Sequence, residues 1–330
     1  MSKQTRLRAV LAALGVLALA LFLAACGSSS DNSSSGSTAA GTGGGKLIQS
    51  NPANGKVSLK IGSKNFTEQI VLGEIYAQAL KAAGYNVSTD LNLGSETVAL
   101  AALKKGEISG YPEYASTALT SFFNADPEKV PGNPQQAYQE ANADFKKQGL
   151  VAFPPTPFAS ANAVGTLKST ADKLGLKDVS DLKGKSQNLT LYGSPECRQR
   201  IDCLLGLQKY YGLQFKSFTP VDIGLRYTVL DKGQADLSIL FTTDAQLSAQ
   251  KNKYVILSDD KHVFPAGNVI FVTDPAIVKK AGPDYEATIT KVQSGLTIPV
   301  MQELDARVDI DQQTPEQVAG EYLKESGYIK

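Results

Sequence analysis

The chain has 330 residues, with 33 Lys and Arg against 32 Asp and Glu, one histidine and no tryptophan. So even a charge balance gives no footing for nucleic-acid binding. The lone His262 leaves a histidine-based metal centre or catalytic dyad without its second member.

Lys3, Arg6 and Arg8 precede an uncharged apolar run over residues 9–25, the pattern of a signal peptide, taken as 1–25. Leu23-Ala24-Ala25-Cys26 matches a lipobox. Cys26 is therefore expected to carry lipid and hold an exported, extracytoplasmic chain to the membrane, with an ordinary signal peptide or an uncleaved anchor as the alternatives. Residues 26–56 read as a tether, because 27–45 are almost entirely Gly, Ser, Thr, Ala and Asn. The remainder of the chain is long enough for two domains of ordinary size, and loss of the three leader cations keeps it close to neutral.

Val57, Leu59 and Ile61 alternate with polar residues, which predicts a strand over 57–61. Gly62-Ser63 ends it. Asn65, with Glu68 three residues on, predicts a capped helix start. Leu72, Ile75, Tyr76, Ala79, Leu80 and Ala83 share one face of that helix, and Gly84 stops it. Further strands are predicted over 86–93, 108–111 (ended by Pro112) and 150–153, with helices over 98–105 and 134–148. Pro154, Pro155 and Pro157 mark a change of composition. Beyond them strands are predicted over 188–192, 235–241, 254–257 and 268–272, and helices over 198–211, 225–232, 285–294 and 298–308. A last helix has Thr314 as N-cap, Pro315 at its first position and Gln317 at its third. Strands alternating with helices define an α/β fold with largely parallel sheets.

Cys197 and Cys203 lie in Cys-Arg-Gln-Arg-Ile-Asp-Cys. In an exported chain this reads as a disulfide, two free thiols being the alternative. The spacing is not that of a Cys-x-x-Cys redox motif.

A faint internal echo runs through the chain. Gly62-Ser63 and Gly193-Ser194 each follow a strand and precede a helix. Lys105-Gly106-Glu107 and Lys232-Gly233-Gln234 each open a strand with an aromatic, Tyr114 or Phe241, nine residues after the lysine. Two related lobes would produce this, and so would the generic likeness of all βα units. Facing lobes would enclose a cleft at the carboxyl ends of their strands.

Four stretches occur in consistent order: Lys64-Asn65-Phe66-Thr67-Glu68-Gln69, Tyr111-Pro112-Glu113-Tyr114, Asp222-Ile223-Gly224-Leu225-Arg226-Tyr227 and Phe241-Thr242-Thr243-Asp244. In them the chain resembles the substrate-binding proteins of osmoprotectant ABC importers, which take glycine betaine, choline, proline betaine or carnitine. Pro195-Glu196-Cys197 resembles a disulfide-bearing subgroup. The resemblance implies a two-lobed periplasmic-binding-protein-like fold of type II, each lobe a mixed or parallel sheet flanked by helices, with two crossovers. Mapped here, lobe one is 57–158 plus 267–330 and lobe two is 159–266.

It also implies hinge closure over a small quaternary-amine ligand and delivery to an ABC transporter permease, by a monomer without cofactor or metal. A trimethylammonium group offers no hydrogen bonds and is compensated by aromatic faces. The matching cage positions are Tyr114, Tyr227 and Phe241, with Tyr111 nearby. Some relatives carry tyrosine where Asn162 and Phe241 stand, which allows a more polar ligand here. A ligand carboxylate would find donors at Asn65, Thr67, Ser95 and Thr97, and Phe66 and Thr242 fall in the same motifs. Glu96 and Arg226 are either ligand contacts or solvated helix-start charges, the second being the expectation for Arg226. An exported lipoprotein enzyme is the competing class, but no Gly-x-Ser-x-Gly motif or His-partnered nucleophile supports it. An adhesion lipoprotein lacks supporting repeats.

Overall fold

The computed structural model describes residues 47–330; the leader, Cys26 and most of the tether lie outside the described residues. Among the described residues eleven strands form two sheets. They are β1 (Ser58–Gly62), β2 (Asn86–Asp90), β3 (Gly110–Tyr114), β4 (Val151–Phe153), β5 (Ala159–Ser160), β6 (Asn162–Leu167), β7 (Thr190–Gly193), β8 (Ser217–Pro220), β9 (Leu237–Phe241), β10 (Tyr254–Ile256) and β11 (Gly267–Thr273). The first sheet runs β2-β1-β3-β11-β4, with β5 paired to the start of β11, and the second runs β10-β6-β9-β7-β8.

The two sheets share one plan. In the first, β1 is parallel to β2 and β3, and β11 is antiparallel to β3 and β4. In the second, β7 is parallel to β8 and β9, and β6 is antiparallel to β9 and β10. Under this correspondence β1 matches β7 and β3 matches β9. The echoed Gly-Ser pairs therefore stand at the ends of equivalent strands, and Tyr114 and Phe241 are the last residues of equivalent strands. The echo is a property of the fold.

The helices are α1 (Thr67–Ala82), α2 (Glu96–Lys104), α3 (Ala115–Thr117), α4 (Pro134–Lys147), α5 (Lys168–Leu174), α6 (Leu204–Tyr211), α7 (Arg226–Asp231), α8 (Ala245–Ala249), α9 (Pro275–Ala281), α10 (Pro283–Gln293), α11 (Ile298–Asp309) and α12 (Pro315–Glu325). On one face of the first sheet, α1 inserts Leu72, Ile75, Tyr76 and Leu80 into a core shared with α10, α11 and α12. On the other face, α2 and α4 cover Ile108, Tyr111 and Ile270. The second sheet buries Val164, Leu191, Leu207 and Leu237. No helix among the described residues is long and apolar enough to cross a membrane.

Local expectations fail where long-range packing decides. Helix α1 starts at Thr67 with Phe66 at the N-cap and no side-chain cap, so Asn65 is left outside the helix. Strand β3 passes through Pro112. Because β1 meets β3 only at Ile61–Gly110, the strand is unpaired on that side from Tyr111 onward, where a missing N–H is tolerated. Gly110 is required there, since a Cβ would lie 2.4 Å from the Phe271 ring. The helix expected over 198–211 is split into a 3-10 turn (Pro195–Gln199) and α6 by the Cys197–Cys203 disulfide. Strands β5, β6 and β8 and helices α5, α8 and α9 carry no local signal strong enough to be expected.

Candidate ligand-binding cleft

A cavity lies between the two sheets, lined from the first by Lys64, Asn65, Phe66, Ser95, Glu96 and Tyr114, and from the second by Asn162, Arg200, Asp202, Arg226 and Phe241. The loop from β1 to α1 delivers Lys64 to Phe66, and the end of β3 delivers Tyr114. The end of β9 delivers Phe241, beside its ladder partner Asn162 on β6.

Three rings form an aromatic wall. Phe66 stacks on Tyr114 with centroids 6.4 Å apart and leans on Phe241 at 5.1 Å. The protein's own cations sit on these rings. Lys64 Nζ is 4.5 Å from the Tyr114 centroid, and the Arg226 guanidinium is 4.0 Å from that of Phe241. Both cations are themselves paired: Lys64 with Glu113, whose side chain is fully buried, and Arg226 with Asp244 at 2.8 Å. Arg226 is buried, which corrects the expectation of a solvated helix-start charge. Its Nη1 has no partner among the described residues.

Sequence reasoning missed Arg200. It stands inside the disulfide loop and holds Asp202 through two hydrogen bonds, 2.8 and 2.5 Å. It also reaches Glu96 at 3.5 Å and Thr117 at 3.5 Å, both on the first-sheet side. Asp202 accepts a hydrogen bond from Thr120, and Asn162 donates to the Asp202 carbonyl at 3.0 Å. Burial works to lower the Arg200 pKa, but the Asp202 and Glu96 carboxylates outweigh it and hold the guanidinium charged. No local pattern marks such a residue; the one signal was its enclosure between two cysteines.

Of the other expected residues, Asn65, Phe66, Ser95, Tyr114, Asn162 and Phe241 line the cavity. Thr67 and Tyr227 line a neighbouring cavity on the far side of the Phe66–Phe241 pair. There the Tyr227 hydroxyl donates to Asp244 at 2.9 Å and its ring meets Tyr254 edge-on. Thr97 is exposed and exchanges a hydrogen bond with Ser95. Thr242 Oγ1 accepts from the Ala161 N–H at 3.0 Å. Tyr111 is fully buried in the first-sheet core, its hydroxyl on Glu113, away from the cavity. Cys197 and Cys203 form the disulfide and line the cavity from the second-sheet side. Among the described residues no group of three or more His, Cys, Asp or Glu could hold a metal ion.

A bilobal α/β scaffold with an aromatic-walled, charge-lined cleft between like sheets is that of a solute-binding protein. Residues 57–325 match the family model for the substrate binding domain of ABC-type glycine betaine transport systems, and the chain belongs to that family. It is similar to the glycine-betaine-binding protein of Pseudomonas aeruginosa, 34% identical over 279 residues, covering 81% of this chain and 88% of the relative. It is also similar to the ergothioneine transport permease/ergothioneine binding protein EgtU of Helicobacter pylori, 29% identical; 82% of this chain matches 48% of that protein, about half its length. Among solved structures, one titled as a glycine betaine/carnitine/choline ABC transporter superposes with a TM-score of 0.64 at 27% identity, covering 82% of this chain and all of the other.

Proposed function

We propose that this chain captures a zwitterionic quaternary amine, of which glycine betaine is the type, outside the cytoplasm and hands it to an ABC permease. The observation that carries the reading is the juxtaposition, in one cavity, of the Phe66–Tyr114–Phe241 wall with the cations Lys64, Arg200 and Arg226. Aromatic faces compensate a dehydrated trimethylammonium group, and forked guanidinium donors compensate a carboxylate. Lys64, Arg200 and Arg226 Nη2 are held by the protein's own carboxylates, but Arg226 Nη1 is a buried donor with no partner among the described residues. Choline would leave it so, which favours the carboxylated members of the class. Asn65, Ser95 and Asn162 supply further polar contacts. Thr67 and Tyr227 border the neighbouring cavity, Tyr111 packs in the core behind β3, and Thr97 and Thr242 lie outside both cavities.

Capture works by population shift. Lobe one (57–158 plus 267–330) and lobe two (159–266) close over a ligand that touches both, and the permease reads the closed form. The pairing of β5 with the start of β11 lies where the two crossovers would bend. Lipid on Cys26 keeps the monomer at the membrane. Cys26→Ser should release the chain into the soluble fraction, and continued membrane retention would overturn the anchor.

Calorimetric titration of the purified chain with glycine betaine, carnitine, ergothioneine and choline tests the ligand class. Binding of at least one zwitterion at least tenfold tighter than choline is expected. Absence of heat with all four would overturn the class, and choline in first place would overturn the zwitterion.

A further inference from the structure

Beyond the Phe66–Phe241 pair, the neighbouring cavity is bordered by groups of both lobes. From the first come Glu68 of α1 and Asp305 and Asp309 of α11; from the second come Arg226, Tyr227, Asp244 and Gln246. Helices α11 and α8 pack together here, and Asp244 is the N-cap residue of α8. Among the described residues Arg226 is the one cation lining this cavity, and Asp244 pairs with it. Glu68, Asp305 and Asp309 are thus left with no cation of their own there. Both Glu68 and Asp305 are 4% exposed, and each has a buried oxygen, Oε2 and Oδ1, with no partner among the described residues. A buried carboxylate oxygen without a donor is costly unless it carries the proton itself.

We propose that Glu68 and Asp305 form a proton-binding site at the lobe interface, and that closure over ligand fills it. The proposal rests on the closure just described. In the closed arrangement the second lobe seals both carboxylates from water and sets Asp244 near them, so their charged forms are disfavoured in closed chains relative to open ones. The groups facing Glu68 are Tyr114 (whose hydroxyl donates to Oε1), Thr243, Asp244 and Lys64, with Lys64 already held by Glu113. Those facing Asp305 are Glu68, Asp309, Asp244 and Arg226. Asp309, at the exposed mouth, accepts from Thr67 at 2.6 Å. Burial pushes Glu68 up to about 6 against the hydrogen bond from Tyr114, and burial with the Glu68 charge pushes Asp305 well above the ordinary carboxylate range.

A carboxylate whose pKa is higher in the closed form takes up a proton on closure. Closure, and with it ligand affinity, is then favoured at acid pH and falls as pH rises through the closed-state value, by up to about tenfold per pH unit for one proton. Tyr114 links the two functions, presenting its ring to the cleft and its hydroxyl to Glu68.

The test is calorimetry with glycine betaine at pH 6.5 in buffers of different ionisation enthalpy. The dependence of apparent heat on that enthalpy counts protons, and uptake of about half to one per ligand is expected. Glu68→Gln with Asp305→Asn, which mimics the protonated pair, should still bind, with uptake near zero and affinity flat from pH 5.5 to 8. Binding without proton uptake in the unaltered chain would overturn the site, as would unchanged uptake in the double variant. Potassium exchanged for sodium should alter neither result, and a shift in uptake would assign the site to a metal cation instead. Failure of every ligand to bind would strike the proposed function, and is thus told apart from failure of this inference.

Discussion

Phe66 and Phe241 meet across the cleft with ring centroids 5.1 Å apart and planes tilted by 49°. One comes from the loop after β1 and the other from the end of β9, so the contact exists only while the two sheets face each other. The pair also divides the cleft, with the Arg200 side on one hand and the Glu68–Asp305 side on the other. On the proposed function, ligand capture and lobe closure share the same two rings.

Removal of one ring should cost affinity before it costs stability. Phe241 is only partly buried, and Phe241→Ala deletes both its face and its contact with Phe66. A lost cation–π or aromatic contact of about 1–3 kcal/mol corresponds to roughly 10–100-fold in Kd for glycine betaine. Tyr114→Ala should fall in the same range. Kd within twofold of the unaltered chain in both variants, measured by calorimetry, would remove the rings from the site.

Arg200 should discriminate by ligand charge. Arg200→Met removes a charge-assisted donor worth about 1.5–3 kcal/mol to a carboxylate, so zwitterion binding should weaken about 10–100-fold. Choline, which lacks the carboxylate, should lose much less. Equal loss for both would mean that Arg200 acts only through its contacts with Glu96 and Thr117 in holding the lobes together.

The backbone plan was legible because it rests on short-range periodicity. The Gly-Ser breaks and the paired Lys-Gly strand openings were compatible with equivalent positions for Tyr114 and Phe241, but generic βα likeness gives the same spacing. It is the matching order of the two sheets that makes β3 and β9 equivalent. Burial of individual side chains was less legible. Tyr111 and Tyr114, three apart, point to opposite faces of β3, but all five residues of the strand are buried, so polarity alternation gave no sign of which face was core and which was cleft. The burial of Arg226 depends on Asp244, 18 residues on, and the role of Arg200 on Glu96 in the other lobe. Ion pairs between distant residues leave no period to detect.

The disulfide should act on affinity as well as on stability. Cys197 and Cys203 are six residues apart and close the loop that carries Arg200. So short a loop contributes about 2 kcal/mol by chain entropy. Cys197→Ser with Cys203→Ser should lower stability by about that amount in urea denaturation and raise the glycine betaine Kd, because Arg200 then has to be ordered on binding. In an Arg200→Met background the same two substitutions should change Kd little, a coupling that a double-mutant cycle measures. Additive effects would mean the disulfide serves the fold alone.

The Lys64–Glu113 pair should behave as a buried charge pair supporting the cleft wall. Their side chains are 5% and 0% exposed. Glu113 also accepts from the Tyr114 backbone N–H at 2.7 Å and from the Tyr111 hydroxyl at 3.2 Å. Lys64→Met strands a buried carboxylate, and Glu113→Gln strands a buried ammonium; each should destabilise by about 3–5 kcal/mol. Lys64→Met with Glu113→Met removes both charges and should recover part of the loss, limited by the Tyr114 N–H and the Tyr111 hydroxyl left without their acceptor. Affinity is the separate readout. Lys64 lies over Tyr114, so losing it frees one aromatic face while removing a carboxylate partner. The double variant should therefore shift preference from glycine betaine towards choline, whatever its stability. Unchanged preference, with single-variant losses under about 1 kcal/mol, would place the pair outside both the fold's core and the ligand's reach.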